Sequence, residues 1–125
     1  MYSVAAQGKL VCNGIPAKRV RVQLYDTSLV FPDKLMRAGL SNEDGWFRLL
    51  GSAKKGLGPI APELRIIHRC NYTGSCWKST SIQIPRNHHR SGNPDKLDIK
   101  YLYNIGLLDL SKDKFYTKED CQYKD

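Results

Sequence analysis

The sequence predicts an all-β protein, a single domain in which two β-sheets pack into a sandwich. Several short segments alternate apolar and polar residues, and turn-forming residues separate them at regular intervals. A helical turn is expected at only one place, after Phe31-Pro32. At 125 residues, with 41% hydrophobic and 26% charged residues, the chain has the size and balance of one folded domain.

The clearest strand covers residues 19–25, where Val20, Val22 and Leu24 fall on one face and polar residues on the other. This alternation is typical of a strand with one buried face. Similar patterns predict six further strands, at residues 7–12, 36–40, 46–50, 64–69, 79–84 and 103–110.

Turn signals lie between these segments and support their boundaries. Asn13-Gly14 and Asp44-Gly45 supply positive φ angles, and Pro85 fixes its own φ. Residues 42–45, between two predicted strands, are expected to form a hairpin turn. The polar segment 111–125 is expected to be a partly loose tail.

A formal net charge of +8 predicts attraction to anionic partners such as nucleic acid, anionic lipid or sulfated glycans. A solvated basic surface without a partner is the alternative. Aromatic residues are not interleaved with the basic strands, which argues against nucleic acid. Apolar runs are too short for a membrane-spanning helix, and without an apolar leader a secreted protein would be represented in its mature form.

Four cysteines favour two disulfides formed in an oxidising compartment: Cys12, Cys70, Cys76 and Cys121. Spacing alone leaves all three connectivities open, and the absence of a close C-x-x-C pair disfavours zinc. Asn71 begins an N-glycosylation acceptor triplet in the turn between the second and third cysteines. Together these features favour an extracellular location.

The histidines give little support for catalysis. His68 is in phase with buried positions of its strand, so we expect it to be buried against a polar group. His88 and His89 are adjacent, which points them in opposite directions and disfavours a shared metal ion. No catalytic or nucleotide-binding motif occurs, so we expect no enzyme activity, no metal and no cofactor.

Several segments together resemble one known family: residues 8–12, Pro16-Ala17, 20–26, 42–47, Gly51-Ser52, 64–71, 82–85 and 104–106. In these segments the chain is similar to the nematode transthyretin-like family. The resemblance implies a secreted protein with the transthyretin or prealbumin topology. In this topology about seven to eight strands form a Greek-key sandwich, with strands C, B, E and F in one sheet.

The resemblance also implies a function, since one family member links phosphatidylserine on dying cells to an engulfment receptor. We therefore expect a secreted bridging protein that binds phosphatidylserine headgroups and a cell-surface receptor. Hydrolysis of hydroxyisourate is a weaker alternative, because the segment from Cys121 to Asp125 lacks the Tyr-Arg-Gly-Ser ending of the related hydrolases. Carriage of a small apolar ligand and formation of a homo-oligomer stay open.

Strand parity combined with the implied sheet order places five arginines on one outer face of the C-B-E-F sheet: Arg19, Arg21, Arg37, Arg65 and Arg69. Glu63 is the nearest acid in phase with them. Neighbouring strands lie about 4.8 Å apart, so these side chains would repel one another unless anions separate them. Arginine pairs well with phosphate and carboxylate, the anionic groups of phosphatidylserine. A merely solvated face is the alternative.

A second lipid-binding region is expected at one end of the sandwich, where the family topology brings three loops together. The first loop holds the apolar residues 29–32 beside Lys34. Lys54 and Lys55 belong to the second loop, and the third runs from Arg86 to Arg90. In the alternative interpretation, the apolar residues of the first loop fold inward and cap the core.

Overall fold

The structure, a computed structural model, describes residues 2–27, 32–53, 61–85, 89–91, 102–112 and 116–123. No helix occurs within these ranges, and no part of them could therefore cross a membrane as an apolar helix. The described residues form ten strands: β1 (Tyr2–Cys12), β2 (Ile15–Pro16), β3 (Arg21–Asp26), β4 (Lys34–Leu40), β5 (Trp46–Ala53), β6 (Pro62–His68), β7 (Trp77–Gln83), β8 (His89–Ser91), β9 (Leu102–Asp109) and β10 (Tyr116–Asp120).

The strands form two five-stranded sheets, which confirms the all-β sandwich. The front sheet has the antiparallel order β10-β7-β6-β3-β4. Its strands β4, β3, β6 and β7 have the C-B-E-F order that the resemblance implies. In the back sheet, β1 pairs antiparallel with β2, β5 and β8 and parallel with β9. The seven expected strands are all present, whereas β2, β8 and β10 are additional, and β10 lies within the expected loose tail.

The core lies between the sheets and is built by the alternation seen in the sequence. Val22 and Leu24 of β3 are fully buried, as are Leu64 and Ile66 of β6. Leu10 of β1 meets them from the back sheet. Burial of each such side chain contributes about 1.5–3 kcal/mol, so the inward faces of the front strands are fixed and their other faces are left for solvent or ligands.

The turn at residues 42–45 joins the two sheets, so the expected hairpin is wrong. It connects β4 of the front sheet to β5 of the back sheet, and these two strands do not pair with each other. The Asn42 side-chain oxygen accepts hydrogen bonds from the backbone N–H groups of Asp44 and Trp46. The Gly45 carbonyl accepts from Leu10 of β1, which directs the chain into the back sheet.

Two disulfides link the described cysteines, as expected, and the structure selects one of the three connectivities. Cys12 bonds to Cys70 with a Cα–Cα distance of 5.8 Å and joins the back sheet to the end of β6. Cys76 bonds to Cys121 with a Cα–Cα distance of 4.6 Å and joins the start of β7 to the end of β10. The second disulfide therefore attaches the last strand to the front sheet.

Candidate functional site

An open pocket of about 270 Å³ lies at the end of the front sheet nearest the disulfides. We call it the basic pocket, because its charged lining residues are Lys18, Arg19, Arg21 and Arg69. No aspartate or glutamate is among the described residues that line it. The pocket thus concentrates positive charge where the outward face of β3 meets the chain after β6.

Arg21 lies on the outward face of β3, because its neighbour Val22 points into the core. It pairs in register with Ile67 of β6 and Leu40 of β4, which flank it with apolar side chains. Within the described ranges, its guanidinium has no ion pair. Arg21 therefore presents a charge that an incoming anion can neutralise.

Arg69 is held in a fixed orientation at the other side of the pocket. Its guanidinium carbon lies 4.3 Å from the centre of the Trp77 ring, and one terminal nitrogen donates to the Ser75 carbonyl at 3.4 Å. Tyr123 packs edge-on against the same Trp77 ring. Stacking on an aromatic face orients the planar guanidinium and leaves its remaining N–H groups free to bind phosphate or carboxylate.

Lys18 and Arg19 lie in the turn before β3, so the prediction that Arg19 belongs to the strand is wrong. Arg19 has a positive φ of 57°, which is typical of a turn and not of a strand, and its backbone N–H donates to the Ser41 carbonyl. Glu43 approaches Lys18 at 3.8 Å and Arg19 at 3.7 Å. These pairs are exposed and contribute little, so both cations stay available to a ligand.

Arg37 does not share the outer face with Arg21, contrary to the prediction. It pairs with the buried Leu24, and a register shift follows between Leu24 and Tyr25. The inner position two residues later belongs to Gly39, where an added Cβ would come within 2.9 Å of Leu49. From Arg37 to Leu40 the parity of β4 is therefore the reverse of the expected one, whereas Met36, before the register shift, packs against the core as expected. Arg37 is exposed because β4 is an edge strand.

Arg65 lies on the predicted face, but acids neutralise it. Its Nε donates to Glu63 at 2.6 Å, and a terminal nitrogen pairs with Asp33. The guanidinium also stacks on Tyr25, 4.1 Å from the ring centre. Burial alone would lower the pKa of Arg65, but the hydrogen bonds to Asp33 and Glu63 raise it above its usual value. Arg65 therefore contributes to an internal network and adds no free cation to the basic pocket.

His68 is buried against a polar group, as expected, and both of its ring nitrogens are bonded. Nδ1 accepts the Cys70 backbone N–H at 3.1 Å, so Nε2 carries the proton and donates to the Thr80 hydroxyl at 2.9 Å. Burial, together with the nearby charge of Lys78, lowers the pKa of His68 to about 4. Near neutral pH this histidine is an uncharged structural link between β6 and β7.

The described residues bring Cys76, Glu119 and Cys121 within range of a common metal ion. The two cysteines are bonded to each other, however, and do not offer thiolates. This cluster is therefore a disulfide with a neighbouring carboxylate.

The remaining predicted site residues are placed as follows. Asn71 is exposed, and its side-chain amide pairs with that of Asn13, so the acceptor triplet lies on the surface beside the first disulfide. Arg90 lies in β8, which pairs with β1 of the back sheet. The predictions for Lys54, Lys55 and Arg86, and for residues 29–31 of the apolar loop, fall outside the described residues.

Two residues of the basic pocket, Lys18 and Trp77, were not predicted from the sequence. Lys18 lies in a turn, where strand parity makes no prediction. Trp77 begins β7, and the antiparallel pairing of His68 with Lys78 brings it beside Arg69. The short connection between the two strands predicted at 64–69 and 79–84 was a usable signal for this contact.

The fold and site define a disulfide-linked β-sandwich with a basic pocket at one end, and the sequence is similar to those of known proteins. The family model of TTR-52, described as the transthyretin-like family, matches residues 7–85. Transthyretin-like protein 5 of Caenorhabditis elegans is 34% identical over 121 residues, which cover 95% of this chain and 84% of that protein. Transthyretin-like protein 2 of the same organism is 31% identical over 116 residues, covering 87% and 75%. The chain belongs to the transthyretin-like family.

Among solved structures, a 9R-lipoxygenase from Cyanothece matches with a TM-score of 0.49 and 15% identity. The match covers 87% of this chain and 16% of the lipoxygenase. A likeness at this level carries no information about function.

Proposed function

We propose that this protein is a secreted binding protein that recognises phosphatidylserine headgroups on dying cells and presents that membrane to a receptor on the phagocyte. The observation that supports this most directly is the basic pocket, in which four cations converge without an acid among the described lining residues. The two disulfides fit an oxidising compartment and so support secretion.

The chemistry of the pocket suits a headgroup with two anionic groups. Arg21 and Arg69 each carry a planar donor fork that can pair with phosphate or with the serine carboxylate. Lys18 and Arg19 lie in the adjoining turn and add attraction to the membrane surface. Each basic residue near an anionic leaflet contributes on the order of 1 kcal/mol, so the four together provide useful affinity without an inserted anchor.

Charge reversal within the pocket tests the proposal. Arg21→Glu combined with Arg69→Glu should remove most binding to phosphatidylserine vesicles, measured by co-sedimentation at 0.1 M salt. A variant is taken as correctly folded when its thermal unfolding temperature and its two disulfides match those of the wild type.

The matched control is Arg48→Glu combined with Lys112→Glu. Arg48 is exposed on β5 of the back sheet, and Lys112 is exposed just after β9. This pair changes the net charge by the same amount, so a general charge effect predicts equal losses in both double variants. Equal losses, or a larger loss in the control, would contradict the proposal.

A further inference from the structure

A second concave surface lies on the outward face of the front sheet, beside the basic pocket. It has a volume of about 640 Å³ and is lined by residues of β3, β6, β7 and β10, together with Asp33 and with Gln122 and Tyr123 after β10. We call it the polar groove. Ile67 and Tyr123 line both cavities and separate them. The volume lies within the roughly 300–1,000 Å³ typical of small-molecule sites.

The charges of the polar groove differ from those of the basic pocket. Asp33, Glu63 and Asp120 outnumber the two cations, Arg65 and Lys118, so the groove carries one net negative charge. An anionic headgroup is therefore disfavoured here. The single excess charge also gives little attraction for a basic peptide, because Asp33 and Glu63 are already paired with Arg65.

The hydrogen-bonding groups of the groove are held in place by their own contacts. Glu63 accepts from Arg65 at 2.6 Å and from the Gln83 amide at 3.0 Å, while the Tyr25 ring supports the arginine. One oxygen of Asp120 accepts the backbone N–H groups of Gln122 and Tyr123. Because these side chains are already held in position, binding a ligand costs little additional side-chain entropy.

Ser79 on the floor of the groove gives a separate indication of a ligand. It lies on the outward face of β7, between Ile67 of β6 and Lys118 of β10. Its exposure is only 2%, although it lines the groove. Within the described ranges, no hydrogen bond is present for its hydroxyl. Because a buried polar group without a partner costs free energy, this hydroxyl is suited to bond an occupant.

The surrounding groups define the chemical class of that occupant. Besides the charged residues, the lining includes two serines, two tyrosines and three glutamines, which carry hydroxyl and amide groups: Ser79, Ser81, Tyr25, Tyr123, Gln23, Gln83 and Gln122. Hydroxyls and amides both donate and accept, and carboxylates accept, which matches a neutral molecule with many hydroxyl groups. The small serine side chains also allow a bulky ring to approach the sheet closely.

We propose that the polar groove is a carbohydrate-binding site for an uncharged oligosaccharide, such as a glycan on a cell-surface partner. In this arrangement Ser79 bonds a sugar hydroxyl at the floor, while Glu63, Asp120 and the amides bond hydroxyls at the sides. The site is separate from the basic pocket, so sugar and lipid can bind at the same time.

The experiment screens the wild-type protein on an array of uncharged glycans and then follows the best binder by amide NMR titration. Binding should shift the amide signals of Ser79, Ser81 and Gln23. Ser79→Ala, which loses one hydrogen bond, should weaken the affinity up to about tenfold. Ser81→Leu, which fills the floor with an apolar side chain, should abolish binding while leaving vesicle binding unchanged.

Arg21→Glu combined with Arg69→Glu is the control for independence, and it should keep sugar affinity within about twofold while losing vesicle binding. Failure of lipid binding alone therefore does not affect this proposal. The carbohydrate proposal is contradicted if no uncharged glycan binds more strongly to the wild type than to Ser81→Leu. It is equally contradicted if a lysine-rich peptide alone occupies the groove.

Discussion

Arg21 and Arg65 show that an arginine on the outward face does not always add free positive charge to it. The two arginines lie on neighbouring strands and share the outward face, as parity predicts. Arg21 has apolar neighbours, whereas Arg65 is enclosed by Glu63, Asp33 and the Tyr25 ring. Glu63 was visible in the sequence as a residue in phase with Arg65. Asp33 precedes a different strand, and its approach to Arg65 depends on how that strand packs.

His68 gives a prediction of pH-dependent stability. Its pKa is about 4 in the folded protein and near 6.5 in the unfolded chain. Between pH 4 and pH 6.5 only the unfolded chain binds the extra proton, and this binding favours unfolding. The contribution of the neutral His68 to the free energy of unfolding is therefore fully present above pH 6.5. It is lost as the pH falls from 6.5 to about 4. The loss across this window is about 3 kcal/mol.

Urea unfolding at pH 7.5 and pH 4.5 measures this effect when the wild type is compared with His68→Gln. Glutamine retains a donor toward Thr80 but does not titrate. We expect the variant to be less stable at pH 7.5 and to lose about 2–3 kcal/mol less than the wild type on acidification. An equal loss in both proteins would mean that His68 does not remain neutral in the fold.

At the level of elements, the sequence predicted strands best where one face is buried. Alternation located the outward faces of β3 and β6 correctly, because Val22, Leu24, Leu64 and Ile66 require the core side. It failed for β4, where the register shift and the crowded inner position of Gly39 reverse the parity. It also missed β10, whose polar side chains give no apolar pattern and whose pairing with β7 is long-range.

The Cys76–Cys121 disulfide should determine how firmly β10 is attached. Replacing both cysteines by serine is expected to cost about 2–4 kcal/mol of stability. Amide hydrogen exchange should rise most at residues 117–119 of β10, because this strand is paired on one side only. Unchanged protection of these amides relative to those of β6 would show that β10 is held by strand pairing alone.

At the level of the whole molecule, the front sheet divides into two surfaces of different chemistry. The basic pocket lies at the end near the disulfides, and the polar groove covers the middle of the face. A bridging protein needs two such surfaces, one for the membrane and one for its partner. All three arginines of the basic pocket were among the five predicted from strand parity, but only the fold shows that Arg37 lies elsewhere and that Asp33 and Glu63 neutralise Arg65.

The most direct test of headgroup recognition by the basic pocket compares vesicles that contain phosphatidylserine with vesicles that contain phosphatidylglycerol at equal surface charge. Both lipids attract the +8 protein, but only the serine headgroup supplies a carboxylate as well as a phosphate for Arg21 and Arg69. We expect about tenfold tighter binding to phosphatidylserine, from one additional charge-assisted interaction. This preference should persist at 0.5 M salt, where general attraction is screened. Equal binding to both lipids, fading together as salt rises, would contradict headgroup recognition and leave only a basic surface.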